Sequence, residues 1–265
     1  MNLHLFRDFP DEVSVVIPTL NSARHIDIIL EFYREQNVPV TVLVDRRSHD
    51  NTFRVAREHC PNVRWIRNPG TVVEDLMRSV IHASGARWIL RVDDDELPSS
   101  SLLDFVGQAI LNPDLPAFGF LRFQCALSPA GSLLWDRQVS PFVHQQWRLF
   151  QPSQVTPCPT LHTSGFLCAM SDSEATAPPE ASMVHLDWAV RTYKERRMKV
   201  ARYDAHTANA GSKWRAFYLH EEQDPACREF EELDYPEFRT AAREIAARFS
   251  NLCLEAGQYQ YAALA

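Results

Sequence analysis

Apolar positions in the first 110 or so residues follow two periods. Short β-branched and apolar runs, Val13–Ile17, Val40–Val44, Val63–Ile66 and Trp88–Val92, alternate with stretches whose apolar residues recur every three or four positions. The runs suit strands buried on both faces of a parallel sheet, and the spaced stretches suit helices with one buried face. Ile26, Ile29, Leu30 and Tyr33 mark a first helix, which Asn21 or Ser22 can cap. Phe53 and Ala56 mark a second, and Val73, Leu76, Met77, Val80 and Ile81 a third that Gly85 closes. Ser99–Ser101 can cap a further helix burying Leu102, Leu103, Val106 and Ile110. The order predicts an α/β fold with a mostly parallel, doubly wound sheet and helices on both faces.

The character changes after Pro116. Leu121, Phe123 and Cys125 alternate with Arg122 and Gln124, which predicts a half-exposed strand. A turn at Pro129–Ser132 leads to a returning strand near Leu133–Asp136, and His144–Phe150 adds another. Residues 151–182 are rich in Pro, Ser and Thr and read as loops. Trp188–Tyr203 is a basic helix candidate, and Phe238, Ala242, Ile245, Phe249 and Leu252 form a terminal helix stripe. The expected organisation is one continuous domain with a ligand-binding half, 1–115, and a more irregular half, 116–265.

Composition narrows the function. Lys and Arg total 27 against 34 Asp and Glu, a net charge of −7, so the chain lacks the basic excess of a general nucleic-acid binder. No apolar run reaches the length of a membrane span, which leaves surface contact as the one membrane role still open. Six cysteines are scattered without a CxxC pair, as expected of reduced thiols in a cytoplasmic protein.

The chemistry is concentrated in Trp88–Leu97, WILRVDDDEL, where a buried-type strand runs into four acids. Crowded carboxylates repel each other and lose hydration, so a positive group should offset them. If the strand continues, Asp93 and Asp95 face together and Asp94 points away. Paired hard carboxylates favour Mg²⁺ or Mn²⁺ that takes further ligands from substrate phosphates. The first and second strands end in Pro18-Thr19 and Asp45, so three strand ends carry groups suited to a ligand at the carboxyl edge of the sheet.

The segments VSVVIPTLNSA (Val13–Ala23), VDRRSHDNT (Val44–Thr52) and RVDDDELP (Arg91–Pro98), in this order and spacing, resemble family 2 glycosyltransferases of the GT-A fold. The resemblance implies a nucleotide-sugar-binding half at 1–115 and an acceptor-side half at 116–265. It implies that Pro18, Thr19 and Asp45 line a nucleotide pocket, and that Asp93 and Asp95 form a DxD-like motif. In that motif Asp95 is the metal ligand and Asp93 lies towards ribose or metal; Asp94 between them is counted with the donor-binding set. Where the family often has a second acid, this chain has Arg46-Arg47, and either arginine, Arg46 or Arg47, can reach a phosphate instead. The implied activity is metal-dependent, inverting transfer of a sugar from a nucleotide-diphosphate sugar to a saccharide, lipid-linked or small-molecule acceptor.

The second half offers candidates with two readings each. Asp187 in His185–Trp188 is the first choice for general base, or the cap of a helix starting at Trp188; Asp136 and Glu174 stand behind it. His185 is a third metal ligand or a hydrogen-bonded structural residue. Arg148 grips a phosphate or acceptor beside a sugar-stacking Trp147, or is one arginine on a strand. Two other readings compete: a nucleotidyltransferase, though Pro18–Ser22 lacks the glycines of a phosphate loop, and a non-catalytic nucleotide- or sugar-binding module.

Overall fold

The computed structural model describes residues 12–111, 114–137, 145–168, 174–224, 228–254 and 260–261. The chain forms two compact units, one of Met1–Leu121 with Gln145–Met183, the other of Arg122–His144 with Val184–Ala265.

The first unit is built on the expected alternation. β1 (Val13–Thr19), α1 (Ile26–Glu35), β2 (Val40–Asp45), α2 (Thr52–His59) and β3 (Val63–Ile66) follow in order. A 3-10 turn (Val73–Leu76) runs into α3 (Met77–Ile81), then come β4 (Trp88–Arg91), β5 (Glu96–Pro98) and α4 (Ser100–Ala109). The strands pair as β4-β1-β2-β3, all parallel, with Val15 opposite both Val40 and Leu90. Because the order reverses between β1 and β4, their carboxyl ends flank a topological switch point, where an open α/β sheet leaves a crevice for a ligand. Val16, Leu43, Val80, Ile89 and Phe150 share one buried cluster, so the first, second and fourth apolar runs form the core, whereas the third, β3, at the sheet's edge, buries only Val63 and leaves Trp65 exposed.

Some boundaries differ from the expectation. α1 begins at Ile26 with His25 as its N-cap, and neither Asn21 nor Ser22 caps it. Both instead tie the loop after β1 to the loop after β2: Asn21 N–H donates to Ser48 Oγ (3.2 Å), and Ser22 N–H donates to Thr52 Oγ1 (2.7 Å). Ser99 does cap α4, its Oγ accepting from Leu102 N–H at 3.1 Å. The stretch 151–182 is more regular than its composition suggested. It holds β9 (Val155–Pro157) paired with β10 (Phe166–Cys168), β11 (Glu174–Thr176) running parallel to Ala117–Gly119, and β12 (Ser182–His185). Short strands of this kind carry too few residues for a readable period.

β6 (Ala117–Leu127) and β8 (Gln146–Phe150) extend the first unit's sheet antiparallel to β4. β6 is longer than the alternation at Leu121–Cys125 implied, and only Arg122 and Phe123 in it are not buried. Trp147 lies against the backbone of Gly119, where an added Cβ would come within 3.2 Å of the indole, so the ring packs on the sheet. His144, at the expected start of β8, lies outside the described residues, as does Cys227.

In the second unit β7 (Leu133–Asp136) pairs with the end of β6 and with β13 (Glu229–Leu233), which pairs with β14 (Gln260–Tyr261). Ala126, Leu134, Trp188, Phe230 and Leu254 form its core. The expected basic helix is two helices, α5 (Asp187–Val190) and α6 (Tyr193–His206). Thr192 separates them and starts α6 with a capping box closed by Glu195. α7 (Arg215–Tyr218) and α8 (Arg239–Arg248) follow, and Phe238, Ala242, Ile245 and Phe249 are buried as their spacing required.

Candidate active site

The acidic run does not continue the strand. β4 stops at Arg91, and Glu96 N–H donates back to Asp93 C=O at 3.1 Å, so Asp93–Glu96 is a turn. Glu96 Oε2 accepts from Asp93 N–H at 3.0 Å and closes the turn from the side. Strand alternation therefore does not set the directions of the three aspartates, although Asp93 and Asp94 still diverge.

Asp94 accepts hydrogen bonds from Thr19 Oγ1 (2.6 Å) and from the Ser22 hydroxyl, which ties the end of β1 to the turn after β4 across the switch point. Ser22 was not singled out as a site residue; the only cue was its place in the polar run after the first strand. Asp93 meets Arg148, whose Nη2 donates to Asp93 Oδ2 at 2.7 Å and also to Glu96, and Arg91 Nη2 stands 3.6 Å from Asp93 Oδ1. Arg148 is 1% exposed, and Glu96 is fully buried. Arg148 is thus the positive partner that the acidic run required, and not a group open to a phosphate or an acceptor. A buried carboxylate is tolerated only with such a partner. Asp95 is also buried.

At the end of β2, Asp45 is buried and accepts from Arg47 Nη2 (2.5 Å), Arg47 Nε (3.1 Å) and Arg47 N–H (2.9 Å). Arg47 also donates to Gly70 C=O at 2.5 Å, clasping the loop after β3. Of the pair that departs from the family pattern, Arg47 is thus the neighbour of Asp45, while the Arg46 side chain is exposed. Pro18 is buried inside β1, opposite Leu43 of β2.

Behind the turn, Glu74 is buried, and its Oε1 accepts from His162 N–H at 3.1 Å. Burial raises its carboxyl above the usual range, partly offset by hydrogen bonding and by Arg91. His162, at φ 60°, adopts the left-handed backbone conformation in this loop.

The second unit holds the other candidates. His185 ends β12, is 4% exposed, and its Nδ1 meets Gln124 Oε1 of β6. With the amide oxygen as acceptor, Nδ1 carries the proton and Nε2 is left basic, the tautomer a metal-binding histidine needs. Asp187 is the first residue of α5 rather than its N-cap, which is Leu186. Its Oδ1 lies 3.0 Å from both Lys199 Nζ and Arg191 Nε, so two cations compensate a side chain with no exposed surface. Asp136 is 1% exposed at the end of β7, with Arg228 acting on it electrostatically. The side chain of Glu174 lies outside the described residues.

His220 is buried against Trp188, with ring centroids 4.5 Å apart, and its Nδ1 accepts from Arg228 Nη1 at 3.0 Å. Burial, with Arg196 and Arg228 nearby, pushes its pKa down to about 2, so the ring stays neutral.

A hard carboxylate such as that of Asp95 suits Mn²⁺ or Mg²⁺ with open positions for diphosphate oxygens. Asp93 is the poorer ligand because arginines already engage it.

Residues 14–122 match the model of glycosyl transferase family 2. That segment, less than half of the chain, is similar to the family 2 glycosyltransferases, in line with the motifs it carries. Among curated proteins none matches the chain. Glucosyl-3-phosphoglycerate synthase from Mycobacterium tuberculosis, solved with Mn²⁺, UDP and glucosyl-3-phosphoglycerate, is 14% identical, with 84% of this chain and 85% of that chain covered and a TM-score of 0.50. The same enzyme with Mn²⁺ and UDP-glucose is 14% identical, with 84% of each chain covered and a TM-score of 0.49. S. aureus TarS 1–349 is 12% identical over 91% of this chain and 71% of that one, with a TM-score of 0.45. At such identities the synthase likeness speaks for the fold, and it is the GT-A fold.

Proposed function

We propose that the chain transfers a sugar from a nucleotide-diphosphate sugar to an acceptor hydroxyl, with inversion, and that the donor lies in the crevice between β1 and β4. The observation that carries this reading is the meeting of Thr19, Ser22 and Asp94 at the carboxyl ends of two adjacent parallel strands. Pro18, Thr19, Asp45 and Asp94 line the nucleotide side, Asp45 towards base or ribose. Arg46, exposed past the end of β2, is the arginine assigned to a donor phosphate.

Asp95 is assigned as the carboxylate ligand of Mn²⁺ or Mg²⁺, with His185 as a further ligand. A bound cation would neutralise charge developing on the leaving diphosphate. Arg148 and Glu96 hold the Asp93–Glu96 turn, so Asp95 is presented without reorganisation at the moment of transfer. The acceptor proton passes to a carboxylate, Asp187 first and Asp136 second. The acceptor is a saccharide, a lipid-linked sugar or a small molecule. A cytoplasmic setting is supported by five free cysteines, and no helix among the described residues is long and apolar enough to cross a membrane.

UDP is the first nucleotide to test, because the synthase structures hold it. A thermal-shift panel of UDP, GDP, CDP and dTDP, each with and without Mn²⁺, should give a metal-dependent rise with one of them. Release of that diphosphate from its sugar donor should then follow. Equal stabilisation without metal would remove the role given to Asp95, and no shift with any diphosphate would remove the donor site.

A further inference from the structure

We infer that the outer face of α6 docks the protein on an anionic lipid surface. Lys194, Arg197, Met198, Ala201, Arg202 and Ala205 follow one another at helical spacing, and all six are exposed. The other charges of the helix are used elsewhere. Arg196 turns inward to Tyr218 C=O (2.8 Å) and Glu221, and Lys199 reaches Asp187. Glu195 closes the capping box with Thr192, and Asp204 accepts from Gly211 and Ser212 N–H at 2.8 and 2.9 Å. On the outer face cations outnumber carboxylates, with exposed Glu195 beside Lys194 and exposed Glu222 acting on Arg197 from outside the helix, on a chain whose net charge is −7. Among the described residues no carboxylate forms an ion pair with Lys194, Arg197 or Arg202; Arg197 and Arg202 lie over the rings of Tyr193 and Tyr203 instead.

The apolar centre of this stripe selects lipid over a soluble polyanion. Met198 is 64% exposed, with two alanines on the same face that let the helix lie flat. A polyanion gains nothing from a flexible thioether, whereas a helix in a headgroup layer inserts it among the acyl chains while flanking cations meet the phosphates. This inference rests on neither the donor crevice nor the metal assignment.

Co-sedimentation of the full chain with vesicles tests it, using phosphatidylglycerol mixed with phosphatidylcholine against phosphatidylcholine alone. The chain should bind the anionic vesicles, bind neutral ones far less, and dissociate at high salt. At about fivefold in partitioning per cation, the triple variant Lys194→Glu/Arg197→Glu/Arg202→Glu should lose at least on the order of 100-fold. Its Tm and donor turnover should stay at wild-type values, and Met198→Ser should weaken binding several-fold. The inference is overturned if the wild type ignores anionic vesicles, or if the triple variant binds them undiminished. It is equally overturned if Met198→Ser has no effect, or if soluble polyphosphate binds while vesicles do not.

Discussion

Replacing Arg148 with methionine tests the electrostatic frame of the site. Arg148 is 1% exposed and its Nη2 serves both Asp93 and Glu96, of which Glu96 is fully buried. In Arg148→Met, Arg91 still stands 3.6 Å from Asp93, so the main loss falls on Glu96, a buried carboxylate deprived of its arginine. Removing one partner of a buried pair typically costs about 3–5 kcal/mol. At roughly 2–4 °C per kcal/mol for a chain of this size class, Tm should fall by about 10 °C. Differential scanning fluorimetry and urea denaturation would measure it. The double variant Arg148→Met/Glu96→Gln, which also removes the stranded charge, should recover about half of the loss. If Arg148→Met stays within about 1 kcal/mol of wild type, the range of an exposed pair, then Arg148 is not the buried counter-ion described above.

Further outcomes follow from other groups. Asp187→Asn should lower kcat at least about 100-fold with UDP affinity near wild type; a protein that no longer folds would show instead that Asp187 serves only to balance Lys199 and Arg191. His220 takes up a proton near pH 6.5 when unfolded but stays neutral when folded, so stability is full above that pH and falls below it, by about 1.4 kcal/mol per pH unit. His220→Gln should flatten the urea-measured stability between pH 6 and 4 by about that slope, and parallel curves would refute the assignment. Gly131 sits at φ 84° with an added Cβ 2.9 Å from the backbone of Arg243, so Gly131→Ala should cost at least about 1 kcal/mol in the same assay.

The parallel core was legible because its signal is local. Three of the four apolar runs and the helix stripes between them state their own burial, and the strand ends that carry Thr19, Asp45 and the acidic run follow from that order. Partner choice is not local. Arg148 lies 55 residues from Asp93 and Gln124 lies 61 from His185, so neither spacing nor composition could pair them. The turn at Asp93–Glu96 was hidden for a related reason: alternation assumes a strand, and a glutamate that bonds back to Asp93 N–H ends it. Asn21 and Ser22 looked like caps because their side chains suit that role, yet a neighbouring loop made better use of them.

Mn²⁺ titration followed by electron paramagnetic resonance reports whether Asp95 holds a divalent cation for a nucleotide diphosphate. With UDP present, the wild type should deplete the free-ion signal at one Mn²⁺ per chain, and Asp95→Asn, still folded by circular dichroism, should leave that signal near the level of UDP alone. Equal depletion by the variant would contradict the account.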